Sequence, residues 1–234
     1  MFDDRKEHKG LGAVIWNRDG RDEMSTPAFV RAIALSTLVM AVVVAVGAIA
    51  SYDRPFTWWL LIGTFVCSIV FIIVFTASSN PIVSFMGVSG MSLCLGLMIG
   101  PLVATYTSDV VMAAILTTMG VMAAMSIVGI MFPKTFEGWG TYLIGALWVL
   151  IFALFGQIIF AALGFEWAMH GSVLDQVLLW GGILIFTFFV AYDWSKALSL
   201  PKTWDNAIDA SGGLILDAVN LFIRFLEVYA RSQR

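Results

Sequence analysis

The strongest constraint on this chain is a succession of apolar runs, nearly free of charge and separated by short polar turns. A helix rising ~1.5 Å per residue needs about 20 apolar residues to cross a hydrocarbon layer ~30 Å thick. Composition agrees: of 234 residues, 60% are hydrophobic and 12% charged, against roughly 25% charged in an average soluble domain. The chain therefore reads as an all-α integral membrane protein. Seven spans would take up roughly 140 to 160 positions, leaving short loops and no room for a soluble domain. The expected layout is a charged N-terminal tail over residues 1–26 and a seven-helix membrane domain over residues 27–234.

The spans are expected at residues 28–50, 56–77, 82–105, 110–132, 141–163, 177–198 and 210–230. Arg31 lies one turn inside the first, near enough to the end to snorkel to the headgroups. Trp58 and Trp59 are interfacial anchors for the second. The third is rich in small residues, and its Gly96 and Gly100 form a GxxxG, which lets another helix approach closely; Gly120 and Gly129 repeat this character in the fourth. Gln157, the one strongly polar residue of the fifth, is expected to bond a neighbouring helix. Cys67 and Cys94 fall inside spans and read as core packing, with no disulfide framework or thiolate metal site. Glu166, His170 and Asp175 are irregularly spaced for a metal centre and read as a solvated loop.

The net charge of −3 comes with no basic stripe, which excludes nucleic acid as a partner. Residues 1–24 are charged and lack the apolar core of a cleavable signal, so they are expected to be a mobile tail that sets topology. With the N-terminus inside, nine basic residues fall on the cytoplasmic side, the tail's five plus Arg31, Lys134, Lys196 and Lys202. Four (Arg54, Arg224, Arg231 and Arg234) fall on the other. The positive-inside rule thus favours a cytoplasmic N-terminus, at the cost of placing Arg231 and Arg234 outside.

The last two spans carry one aspartate each, Asp193 and Asp217. A hairpin turn centred near residue 205 would put both at the same depth, on the order of 10 Å from the turn. An ionised group there costs several kcal/mol unless paired, hydrated or protonated. Two facing carboxylates cannot both ionise cheaply and are expected to share a proton. When both are ionised, their four oxygens suit a hard cation such as Ca²⁺. The bland alternative pairs Asp193 with Lys196 and Asp217 with Arg224, although Glu227 is a more natural partner for Arg224, which is also placed to snorkel. Asn220, one turn from Asp217, completes a polar site in the functional reading. No nucleophile with a base and no metal-ligand helix motif is present, so no enzyme and no resident cofactor are expected; Ca²⁺ enters only as a transported ion.

At these residues the sequence resembles the Bax inhibitor-1, or transmembrane Bax inhibitor motif, family in its bacterial form. The run from Leu216 through Asp217, Asn220 and Arg224 to Leu226 is similar to the family's last helix. Ala191, Tyr192 and Asp193 are similar to the end of its sixth, and GMSLCLGLMIGP at residues 90–101 to its third. The resemblance implies a last helix at the centre, wrapped by the other six as two groups of three. It further implies that Asp193 and Asp217 form a di-aspartyl pH sensor governing a calcium leak across the membrane, which the compact chain suggests is a bacterial inner membrane. The alternative it implies is a membrane protein that restrains a membrane-bound AAA-type protease; in that case the charged tail is the expected bait. Two departures stand out. The second span lacks the charged latch of the family's leak members, leaving Arg31 as the only substitute, and Trp194 puts a large indole where it is expected to crowd the pore's cytoplasmic mouth.

Overall fold

The computed structural model describes residues 23–55, 57–169 and 171–233. Most of the tail and His170 lie outside them, and with them the expectations made for those residues. Among the described residues the chain is helical: α1 (Thr26–Ser51), α2 (Trp58–Ala77), α3 (Pro81–Val103), α4 (Ser108–Met131), α5 (Gly140–Ala162), α6 (Val173–Ser199) and α7 (Trp204–Ser232). A short helical turn, Pro133–Phe136, and a 3₁₀ turn, Glu137–Trp139, lead into α5. Among the described residues, six segments are long and apolar enough to cross a membrane: α1 to α4, α5 with its lead-in, and α6 with the 3₁₀ turn before it. The seventh helix is as long, 29 residues, but carries Asp205, Asp209, Asp217, Arg224, Glu227 and Arg231. The outward faces are apolar, as in Leu38, Val42 and Ile49 of α1 and the anchors Trp58 and Trp59, and lipid is the solvent such faces require.

The chain divides into two compact units. The first holds the described residues up to Ala104 together with Leu200–Gly212, and its core is built by glycine. Gly47 of α1 lies against Gly96 of α3, and a Cβ added at Gly47 would sit 2.7 Å from the Leu93 carbonyl oxygen. One at Gly96 would run into the Val44 carbonyl, and one at Gly100 into Ser51. The GxxxG therefore does what its spacing promised, bringing two backbones into contact where any side chain would hold them apart. Gly87 and Gly90 make the same concession to Phe75 and Phe71 of α2. Asn80 caps α3 on the Ile82 amide, with Pro81 in the first turn, a starting signal legible in the sequence.

The second unit holds Thr105–Ser199 and the chain from Gly213 onward. Gly129 lets α4 touch Ala191 and Trp194 of α6, whereas Gly120 faces open space and serves no such contact. The Trp194 indole is buried, its N–H donating to Ser126 of α4 at 2.8 Å; it packs two helices together instead of crowding a mouth. Ser195 donates to the Pro133 carbonyl. Helix α5 ends on Gly164 at φ +87, with Phe165 N–H bonded to the Phe160 carbonyl and Gly164 N–H to that of Ala161, the paired bonds of a Schellman stop.

Three further expectations about the fold need correction. The turn between α6 and α7 is residues 200–203 and not centred near residue 205, so residues 204–209 are helix. Asp175 is no solvated loop residue but lies in the first turn of α6, 6% exposed. Cys94 is buried as expected, but Cys67 is exposed on the outer face of α2.

Candidate functional site

Moving the turn moves the aspartates. Asp193 lies six residues before the end of α6 (199 − 193) and Asp217 thirteen after the start of α7 (217 − 204). At ~1.5 Å per residue these are about 9 and 20 Å along their helices, so the two are not at equal depth. What lies under Asp193 is Gly213, whose missing side chain leaves room for the carboxylate: a Cβ there would collide with Asp193 Oδ2. Asp217 is four residues further on, the next position on the same helix face. Thus Asp193 occupies the place of a side chain at residue 213 and meets Asp217 lengthwise, one turn away, near enough for the two charges to act on each other.

Asp217 is 5% exposed and its Oδ2 has no hydrogen-bond partner. Lys196, one turn beyond Asp193, is the cation whose charge bears on that carboxylate; its ammonium lies 6.0 Å from the Tyr192 ring centre. Asn220 does not complete the site through its amide nitrogen, which donates to the Leu216 carbonyl of its own helix at 2.8 Å. Arg31 belongs to the first unit, exposed, with Nε on the Pro27 carbonyl at 3.1 Å. Among the described residues no three His, Cys, Asp or Glu side chains gather as a metal site. A Ca²⁺ ion held by Asp193 and Asp217 would have to keep water or backbone oxygens to reach its usual six to eight ligands.

Arg224 neither pairs with Asp217 nor snorkels. Its guanidinium lies on Gly182 of α6, where no Cβ would fit, donates to the Leu178 carbonyl at 3.1 Å, and covers the Phe186 ring at 5.5 Å. Glu227 is bonded by Arg231 at 2.5 Å, and the same guanidinium nitrogen reaches Asp175 at 2.5 Å. Asp175 also accepts from Gln157 of α5 at 3.0 Å and from the Gly171 amide at 2.9 Å. The interhelical bond expected of Gln157 is therefore present, and Arg231 at the end of α7 is neutralised by acids on two helices.

Sequence reasoning missed the polar cluster at the start of α7. Asp205, Asn206 and Asp209 look like loop residues by composition but are buried at 1%, 0% and 1% exposure. Ser84 of α3 donates to Asp205 Oδ1 at 2.7 Å. The signal was available: Thr203 is a good N-cap residue, its hydroxyl accepting from the Asn206 amide, and Asp205 and Asp209 are spaced i, i+4 as on one helix face.

The profile of the family described as "Inhibitor of apoptosis-promoting Bax1" (Bax1-I) matches residues 28–234. The chain is 24% identical to Inner membrane protein YbhL of Escherichia coli (strain K12) over 187 residues, 74% of this chain and 75% of that protein. It is 27% identical to the Golgi anti-apoptotic protein of Vaccinia virus (strain Lister) over 146 residues, 62% of this chain and 57% of that one.

Proposed function

The chain belongs to the Bax1-I family, and on that footing we propose that it is a pH-sensitive cation leak channel, with Ca²⁺ as the permeant ion and Asp193 and Asp217 as its gate. In this reading seven helices cross the membrane of a bacterial cell, with the N-terminus in the cytoplasm. The last helix is central, and α1 to α3 and α4 to α6 are the two groups around it. The observation that carries the proposal is the Asp193 carboxylate filling the gap at Gly213, one turn from a buried Asp217 whose Oδ2 lacks a donor.

A proton shared by the two carboxyls supplies that donor, removes one charge from hydrocarbon, and keeps the helices together. Loss of the proton leaves two like charges a turn apart, which repel and recruit a cation in the proton's place. Flux should therefore rise with pH. Helix α2 carries no ionisable latch, and Arg31 is bonded to its own helix, so the gate depends on the carboxyl pair itself.

The test is Ca²⁺ flux into proteoliposomes from about pH 6 to pH 8, on either side of neutrality, comparing the wild type with Asp193→Asn and Asp217→Asn. Flux that climbs with pH in the wild type and loses that dependence in either variant supports the gate. Equal flux in all three sinks it. Absence of flux at every pH would transfer the family membership to the other reading, a membrane partner of an AAA-type protease. Deleting residues 2–22 should then abolish protease binding.

A further inference from the structure

The first unit contains a second pair of carboxyl groups, distinct from Asp193 and Asp217. Asp205 and Asp209 stand one turn apart on α7, which puts their Cβ atoms about 5–6 Å apart. Both are 1% exposed. Asp205 is well provided for: its Oδ1 accepts the Ser84 hydroxyl at 2.7 Å, and it lies in the first turn of α7, where free amides and the helix dipole favour a negative charge. Asp209 has neither advantage. It sits a turn deeper, and neither of its oxygens has a partner, the nearby Ser84 hydroxyl being spent on Asp205; Asp205 Oδ2 has none either.

Among the described residues, few groups are placed against Asp209. On its own helix there is Asp205, and from α3 there is Ser84, itself 0% exposed. From α2 there is Phe75, whose carbonyl lies 3.4 Å from the Ser84 hydroxyl and whose ring covers Gly212. Among the described residues no lysine or arginine pairs with either carboxylate. Two buried anions without a counter-ion would cost several kcal/mol each. Three orphaned carboxylate oxygens so close together mean that something positive belongs between them.

We infer that Asp205 and Asp209 form a second proton-binding site, with one proton held on Asp209 and donated to Asp205 Oδ2 while Ser84 donates to Asp205 Oδ1. One hydrogen satisfies both sides of the gap and halves the buried charge. The other candidate, a hard divalent cation, would need six to eight oxygens, and no third acidic, His or Cys ligand gathers there among the described residues. The inference is independent of the gate proposed above, since it concerns different residues in the other unit.

The test is infrared spectroscopy of the full-length protein in nanodiscs, following the C=O stretch of protonated carboxyls through a pH titration. With Asp193→Asn and Asp217→Asn combined to silence the other pair, a protonated-carboxyl band should persist at neutral pH and disappear on adding Asp209→Asn. Asn is isosteric with the neutral acid, so the thermal midpoint should hardly move. Ser84→Ala, which removes a donor from Asp205 without touching a carboxyl, should shift the band. No band at neutral pH, or one indifferent to both Asp209→Asn and Ser84→Ala, would overturn the inference. So would Mn²⁺ binding, read by electron paramagnetic resonance, that Asp209→Asn abolishes.

Discussion

Gly213→Ala is the sharpest probe of how Asp193 and Asp217, the proposed gate, fit together. The added methyl would overlap Asp193 Oδ2. Restoring an ordinary contact of about 3.5 Å requires the carboxylate to move by on the order of 1 Å. It cannot do so without leaving the gap that points it at Asp217. Overfilling a packed site costs about 1–3 kcal/mol, while exchanging glycine for alanine within a helix returns about 0.5–1 kcal/mol. The net loss should therefore be about 0–2.5 kcal/mol, with the coupling between the carboxyls weakened. The control is Gly156→Ala on α5, where nothing lies within 4 Å of the new atom and the helix gain stands alone. Thermal unfolding in detergent and Ca²⁺ flux in proteoliposomes would be measured on both. Gly213→Ala should unfold earlier than the control and show a flatter dependence of flux on pH. If the two behave alike in both assays, the carboxylate does not need the gap at residue 213, and the account of the pair is wrong.

Other consequences can be checked with the same tools. Arg231→Gln strands Asp175 in its buried position; breaking such a pair costs roughly 3–5 kcal/mol, which partial exposure of the guanidinium reduces to about 2–3 kcal/mol. Adding Asp175→Asn should recover part of the lost thermal stability, and failure of the double variant to improve on the single would show the pair to be uncoupled. Gly96→Ala drives a methyl into the Val44 carbonyl, a backbone atom that cannot rotate away, and should cost about 1–3 kcal/mol. Gly120→Ala, in open space, should be neutral or slightly stabilising, and equal unfolding midpoints for the two would refute the close α1–α3 crossing.

The parts of this fold legible in the sequence are those that depend on local pattern. Long uncharged runs gave most helix bounds to within a few residues, and Gly96 and Gly100 announced a close crossing because only glycine allows one. What failed were assignments that depend on tertiary surroundings. The run from Lys196 to Asp209 looks like a loop by composition, yet Thr203 starts a helix inside it, and the Ser84 hydroxyl, supplied from 121 residues away, shares in burying the acids that follow. Asp175 looked solvated because its partners, Gln157 and Arg231, approach from other helices. The nearness of Asp193 to Asp217 was expected from the wrong geometry: equal depth does not hold, and the Gly213 gap that replaces it has no signature in spacing alone.

Arg224 has one more consequence. Seven residues are nearly two full turns of helix, so Arg224 and Asp217 lie on the same side of α7, within about 20° of each other. With its guanidinium seated on Gly182 and held by the Leu178 carbonyl, α7 is not free to roll about its own axis. Advancing by one residue would swing the cation through about 100° and off its seat. Arg224 thus acts as an indexing pin: it sets the rotational register of the helix, and in doing so fixes which face, the one bearing Gly213 and Asp217, is presented to α6.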